Sequence, residues 1–212
     1  MKILSLDTSS KNAIVVITQN EEKIIELNNE EEKTHSQKLM PMIDEAFQKS
    51  KLSLDDIGLI ICCLGPGSFT GVRIGIATAK AFADSKNIPV VGVNSLEALA
   101  YSLETEGKIC AIIDAGHENA YVGYYEIRKD ENGNLKTVQE DLTFLNLTDE
   151  KLKEIQKQYK IVNEQNDGLG ITMAKIGYTK YKNGKAGNSS ILSPVYLRKS
   201  QAELALEAKN NS

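Results

Sequence analysis

The sequence is poor in the residues that most often advertise chemistry. It has three cysteines, Cys62, Cys63 and Cys110, all in apolar runs and none at metal-ligand spacing. That pattern excludes a cysteine-held metal and predicts inert, buried thiols in a reducing compartment. The formal net charge is −4 and no Lys/Arg-rich run occurs, so the chain alone is a poor candidate for gripping a nucleic-acid backbone. Contact with RNA is expected only indirectly, through a partner. No apolar run approaches membrane-spanning length, and the N-terminus enters a strand directly, without the features of a signal peptide. A cytoplasmic chain with no membrane contact is expected. What remains is ordinary for a globular chain: 212 residues, 41% hydrophobic and 25% charged. That length suffices for one large domain or two small lobes.

One segment stands out: Gly65-Pro66-Gly67-Ser68-Phe69-Thr70-Gly71-Val72-Arg73-Ile74-Gly75. It follows the apolar run Leu59 to Leu64, which reads as a strand buried on both faces. It leads into the Ala-rich Ile76 to Ala83, which reads as a helix. A strand, a glycine turn and a helix N-terminus form the usual geometry for holding an anion, because free N–H groups and the helix dipole point at it. Known loop patterns do not fit. The spacing G-x-G-x-x-x-G misses the dinucleotide fingerprint by one residue, and Val72-Arg73 stands where a P-loop has Lys-Ser/Thr. Two readings stay open: a phosphate loop, or a tight turn at Gly65 and Gly67 whose helix is capped by Ser68 or Thr70.

Along the rest of the chain, strands are predicted at 2–7, 13–18 and 23–28. A helix follows in which Leu39, Ile43 and Phe47 share one face, extended by Met42 and Ala46, with Pro41 either kinking it or in its first turn. Ser53 to Asp56 reads as a capped turn, and Glu30-Glu31-Glu32 as a solvated one. After the glycine segment come a strand at 88–93 and a helix opened by Asn94 with Glu97 in a capping-box-like start. The second half repeats the plan. Strands are expected at 109–113 and 120–127, a hairpin turn at Asn132-Gly133 and a strand at 135–140. A helix at 148–158, a strand at 160–163 and a helix at 170–182 follow, then a polar stretch and a short helix at 200–209.

The repetition extends to single residues. Asp7 is followed five and six residues on by Asn12-Ala13, and Asp114, shifted by 107 positions, by Asn119-Ala120 at the same offsets. Two β-β-β-α-β-α lobes of one duplicated unit are expected, the second reduced. This is the α/β architecture of the actin, Hsp70 and sugar-kinase superfamily. The lobes are drawn at 1–103 and 104–199, with the helix at 200–209 packing back on the first.

Four segments carry a family resemblance: Leu4-Ser5-Leu6-Asp7-Thr8-Ser9, His35-Ser36-Gln37-Lys38-Leu39-Met40-Pro41-Met42-Ile43, Gly65 to Gly75, and Pro194-Val195-Tyr196-Leu197-Arg198. The chain resembles the bacterial TsaB (YeaZ) family. The resemblance implies a role in making threonylcarbamoyladenosine beside the anticodon of tRNAs that read A-starting codons. It implies partnership with TsaD, which transfers the threonylcarbamoyl group, and with the ATPase TsaE. ATP or ADP and a divalent metal would be used by those partners, with no cofactor held by this chain. Transferring paralogues hold a metal through His-x-x-x-His; here His35 is followed at that spacing by Leu39, and the other histidine, His117, lies elsewhere. No metal site and no catalytic residue are therefore expected.

Asp7, Thr8, Ser9, Gly65, Gly67, Ser68, Thr70, Gly71 and Asp114 remain as a vestigial phosphate or nucleotide site, or as ordinary turns. Arg73 suits a phosphate, a partner carboxylate or a surface salt bridge. The small residues Gly75, Ala77, Ala79, Ala81 and Ala83 cover more than one helix face, which invites another helix. An interface with TsaD is expected at Leu39, Met42, Ile43, Phe47, Val72, Arg73, Ile76, Ala79 and Ala83, serving a homodimer when TsaD is absent. A large charged residue at Ala79 or Ala83 is expected to abolish that contact without unfolding the chain. The alternatives are an ATP-dependent phosphotransferase of the sugar- or acetate-kinase type and, less in keeping with two histidines, a peptidase.

Overall fold

The strand β1 (Lys2–Asp7) is buried from Ile3 to Asp7, so it belongs at the centre of a sheet. In the computed structural model, which describes residues 1–29, 35–131, 133, 135–163 and 169–198, it takes that place. β2 (Ala13–Gln19) pairs antiparallel with it, and β3 (Glu22–Asn29) pairs antiparallel with β2. β4 (Ile57–Cys63) lies parallel to β1 on its other side and β5 (Val90–Val93) parallel to β4, giving the order β3-β2-β1-β4-β5. The second sheet repeats this with β6 (Gly107–Gly116), β7 (Asn119–Lys129), β8 (Leu135–Asn146) and β9 (Lys160–Asn163), in the order β8-β7-β6-β9. Each sheet is a three-strand meander with its fourth strand parallel to the first. The expected duplication is present, and among the described residues the second sheet has no fifth strand.

The described residues form five α-helices: α1 (His35–Ser50), α2 (Phe69–Lys86), α3 (Ser95–Tyr101), α4 (Asp149–Gln156) and α5 (Leu169–Lys182). Pro41 lies inside α1 and is exposed. α1 and α2 cover one face of the first sheet, where Leu39, Ile43, Ile76 and Ala79 join Leu4, Val15, Ile17 and Ile60 in one core. Two of the remaining helices, α3 and α5, exchange lobes. α3, which the sequence assigns to the first lobe, places Leu96, Leu99 and Ala100 against Ile109, Ala111 and Tyr125 of the second sheet. α5, assigned to the second lobe, sets Met173 and Ile176 against Ile3, Leu59, Ile61 and Val91 of the first. α5 comes so close that a Cβ on Gly177 would stand 2.5 Å from Ile61 Cδ1.

Asn94 caps α3, accepting the Leu96 N–H at 2.8 Å, but Glu97 completes no capping box. Its carboxylate is instead drawn inward to Lys180 of α5, at 2.5 Å. The chain's last described stretch also returns to the first sheet. Leu192 is fully buried in its core, and the Val195 N–H donates to Leu64 O at 2.8 Å. The predicted helix at 200–209 and the Glu30-Glu31-Glu32 turn lie outside the described residues. No described helix is long and apolar enough to cross a membrane.

Candidate functional site: the glycine loop and the turn it clasps

Because β1 and β4 are parallel neighbours, the turns that follow them leave the sheet at the same end. They are bound to each other. Thr8 Oγ1 donates to Gly71 O at 2.6 Å, and the Ser68 N–H donates to Ser9 O at 2.6 Å. The glycines make this approach possible. A Cβ on Gly67 would lie 2.2 Å from Ser9 O, and one on Gly75 would lie 2.5 Å from Thr8 Oγ1. Gly65 has φ +80, a left-handed conformation that favours glycine. Ser68, rather than Thr70, caps α2: its hydroxyl accepts the Gly71 N–H at 3.1 Å. Ser95 ties the loop down from behind, its hydroxyl donating to Pro66 O at 2.5 Å and its N–H to Gly65 O at 2.9 Å. Of the two readings of the loop, the tight turn with a serine cap is the one this geometry matches. The N–H groups of Ser68 and Gly71 are engaged within the chain, by Ser9 O and the Ser68 hydroxyl.

The two aspartates hold equivalent local structures. Asp7 accepts the Ser9 N–H at 2.7 Å, and Asp114 accepts the Gly116 N–H at 2.9 Å. Both are Asx turns, at the last residue of β1 and two residues before the end of β6, the structural counterpart of the 107-residue sequence shift. Their surroundings differ. Asp7, Thr8 and Ser9 are buried, whereas Asp114 is exposed at the edge of a cavity of about 330 Å³ shared with Glu118, Asn119 and Asn163. Asp7 does not line that cavity. The sequence leaves open whether the two acids face one space; among the described residues they do not share this one.

Asp7 also acts on the thiols beside it. Burial first, and then its negative charge, push Cys62 and Cys63 far above the ordinary thiol range, while burial alone raises Cys110 to about 12. All three are free and buried. Among the described residues, no three His, Cys, Asp or Glu side chains converge as a metal-binding group. His117 sits exposed in the β6–β7 turn, and Leu39, four residues after His35, points into the core.

The expected partner interface needs correction. Leu39, Met42, Ile43, Val72, Ile76, Ala79 and Ala83 are each at most 6% exposed and form the chain's own core, with Phe47 packed at its margin. Helical periodicity identifies an apolar face but not the layer it meets, and here that layer is the first sheet. Arg73 alone of the nine is exposed, and it forms no surface salt bridge among the described residues. Its guanidinium lies 3.7 Å from the Phe69 ring centroid, and its Nε donates to the Tyr196 hydroxyl at 2.7 Å. The two rings, 5.4 Å apart, are 44% and 48% exposed. Reading α2 for apolar periodicity passes over Phe69, and nothing local marks Tyr196, 123 residues from Arg73. The outward stripe of α2 continues through exposed Ala77 and Ala81.

Comparison with known proteins adds the family. The sequence model of the family described as "TsaD: tRNA N6-adenosine threonylcarbamoyltransferase" matches residues 27–142. The tRNA threonylcarbamoyladenosine biosynthesis protein TsaB of Bacillus subtilis is 36% identical over 142 residues, covering 66% of this chain and 61% of that protein. The TsaB of Haemophilus influenzae is 34% identical over 57% of this chain and 52% of its own length, so the match spans about half to two-thirds of these relatives. The TsaB of Buchnera aphidicola is 30% identical over 76% of this chain and 78% of its own. The structure of YeaZ from Pseudomonas aeruginosa shares the fold, with a TM-score of 0.74, 21% identity, and coverage of 92% of this chain and 99% of that one. By these matches and by its duplicated two-sheet architecture, the chain belongs to the TsaB (YeaZ) family.

Proposed function

We propose that this chain is a non-catalytic subunit of the machinery that places a threonylcarbamoyl group on the adenosine beside the anticodon of tRNAs reading A-starting codons. The family and the names of its relatives give the pathway. The observation that carries the non-catalytic part is the clasp between the two turns. In a working member of this fold the Asp-ended turn and the glycine loop would offer their donors to a nucleotide. Here Thr8, Ser68 and Gly71 spend theirs on one another and on Ser9.

In this reading the chain works by docking. It pairs with TsaD, its paralogue, in a pseudo-symmetric heterodimer in the cytoplasm, and the ATPase TsaE joins the pair. The partners use ATP and a divalent metal, and tRNA meets the complex chiefly through them. A homodimer takes the place of the heterodimer when TsaD is absent. The buried faces of α1 and α2 are unavailable, so the docking face is the outer one. It is marked by Phe69, Arg73, Ala77 and Tyr196, with exposed Met40 on α1. A guanidinium stacked on the Phe69 ring and hydrogen-bonded to the Tyr196 hydroxyl supplies the anchor type most enriched at protein interfaces.

Reconstitution tests this. The chain is mixed with TsaD, TsaE, the threonylcarbamoyl-adenylate-forming enzyme, tRNA, threonine, bicarbonate and ATP, and then omitted. The reading expects loss of modification on omission, no ATP turnover by the isolated chain, and failure of Arg73→Glu to co-purify with TsaD. Robust ATP consumption by the isolated chain with a small-molecule acceptor overturns it.

A further inference from the structure

α3 is seated on the second sheet and α5 on the first, and the two helices touch each other. Much of that contact is apolar. Ala98 of α3 shares a core with Met173 and Ile176 of α5, and Tyr101 packs against the cores of both sheets. Apolar attraction is non-directional, so it holds two helices together without fixing how one slides or turns along the other.

Direction comes from one ion pair. Lys180 Nζ of α5 donates to Glu97 Oε2 of α3 at 2.5 Å, and the two side chains are only 24% and 10% exposed. Each of the other ion pairs among the described residues has a side chain at least 46% exposed. One of these, Glu104 with Lys175 at 3.5 Å, also reaches α5 from beside α3, but a pair so open to water holds little. Lys180 acts on a second acid as well, Glu140 of β8. Burial first, and then Glu97, hold the Glu140 carboxyl above its ordinary range. The Tyr125 hydroxyl, donating to it at 3.2 Å, and the charges of Lys180 and Lys185 pull it down. One cation carried on the first sheet therefore answers to two acids fixed to the second.

We propose that the Glu97–Lys180 pair is a latch that sets the angle between the two lobes. Its role is position rather than stability. Taking both charges out of water offsets most of their attraction, so the pair adds little net stability, while its short, directional contact admits one register of α3 against α5. Lys180 and Glu97 are thus positioning residues, and the device needs no ligand. It is independent of the docking reading above.

The test measures the distance between the lobes in the full-length protein by pulsed electron spin resonance. Spin labels are carried by Asp84→Cys on α2 and Lys153→Cys on α4, both exposed positions, while the three native thiols are buried. Dilution with unlabelled protein removes distances between molecules. One narrow distance is expected with the latch intact. Glu97→Leu/Lys180→Leu removes both charges together; it is expected to melt no earlier than its parent, yet to lose the narrow distance. Amide exchange protection of β1 and β7 is expected to stay unchanged. Lys182→Gln breaks the pair between α5 and Glu21 within the first lobe, and is expected to keep the narrow distance. Should the double variant melt early, Glu97→Gln is measured in its place, since Glu140 remains as an acid for Lys180. A narrow distance that survives in the latch variants, or an equal broadening by Lys182→Gln, overturns the proposal. So does broadening that comes with lost amide protection in β1 or β7, which is unfolding, or a distance that is broad with the latch intact.

Discussion

Replacing Gly67 by alanine separates the two things a glycine loop can do. A Cβ at this position would meet the backbone of the Asp7–Ser9 turn, 2.2 Å from Ser9 O and 2.9 Å from Ser9 C, where no flexible side chain can yield. One of the two turns has to move, and the hydrogen bond from the Ser68 N–H to Ser9 O is the first to break. Forcing an extra carbon into a filled site costs about 1–3 kcal/mol, and breaking the hydrogen bond about 0.5–1.5 more. The sum, about 1.5–4.5 kcal/mol, lowers the melting temperature of a chain this size by roughly 3–18 °C. Calorimetry of the ligand-free protein measures it. Gly58→Ala is the control, since neither glycine has positive φ and a Cβ at Gly58 would meet first the flexible Met1 side chain, at 3.0 Å. It reports the glycine-to-alanine change without a backbone clash. If the glycine serves a phosphate instead, Gly67→Ala leaves the ligand-free protein as stable as wild type and only removes an anion-induced rise in melting temperature. That result, or a destabilisation no larger than in the Gly58 control, refutes the clasp.

Ala79→Glu is expected to unfold the chain, because its Cβ is fully buried against the first sheet; Ala77→Glu, on the exposed side of the same helix, is expected to melt normally while failing to bind TsaD. Circular dichroism melts and co-purification distinguish the two. A thiol reagent at pH 8 is expected to leave Cys62, Cys63 and Cys110 unmodified until denaturant is added; prompt reaction of any native thiol contradicts their burial and raised pKa. Glu140 is held above the ordinary carboxylate range, by burial first and then by Glu97. Its charged form is therefore disfavoured in the fold. Stability falls as pH rises from the unfolded-state pKa through the folded one, and the deficit persists above it. Glu140→Gln is expected to raise the melting temperature at neutral pH and leave it unchanged near pH 3, where both states are protonated; an equal shift at both pH values rules out this origin.

Much of the fold could be read from the sequence because its signals are local. Apolar runs mark the buried strands, the Asp7 and Asp114 offsets reflect two real Asx turns, and Asn94 and Ser68 cap the helices they precede. The pairing of layers was not legible. Leu39, Ile43 and Ala79 form a face that fits a partner helix or the chain's own sheet equally well, and only the tertiary fold chooses. The same limit hid the exchange of α3 and α5, whose apolar residues do not say which sheet they will cover. At the candidate site, the glycines were conspicuous but their occupant was not. A backbone turn and a phosphate make similar demands on space, and Ser9 lies almost sixty residues upstream of the loop it fills. Tyr196 stood in a segment that carries the family resemblance, but its pairing with Arg73, 123 positions away, left no local signal.

The crossing of α3 and α5 makes the two halves of the chain incomplete in complementary ways. A cut between residues 103 and 104 gives a first fragment that keeps five strands but leaves Ile3, Leu59 and Ile61 bare where Met173 and Ile176 belong. The second fragment leaves Ile109, Ala111 and Tyr125 bare where Leu96 and Leu99 belong. Each fragment therefore carries the lid for the other's exposed sheet. Neither is expected to be monomeric and folded alone, whereas the two together can reassemble by trading helices, as split reporters do. A gene duplication that began as two similar units has in this way become one indivisible body.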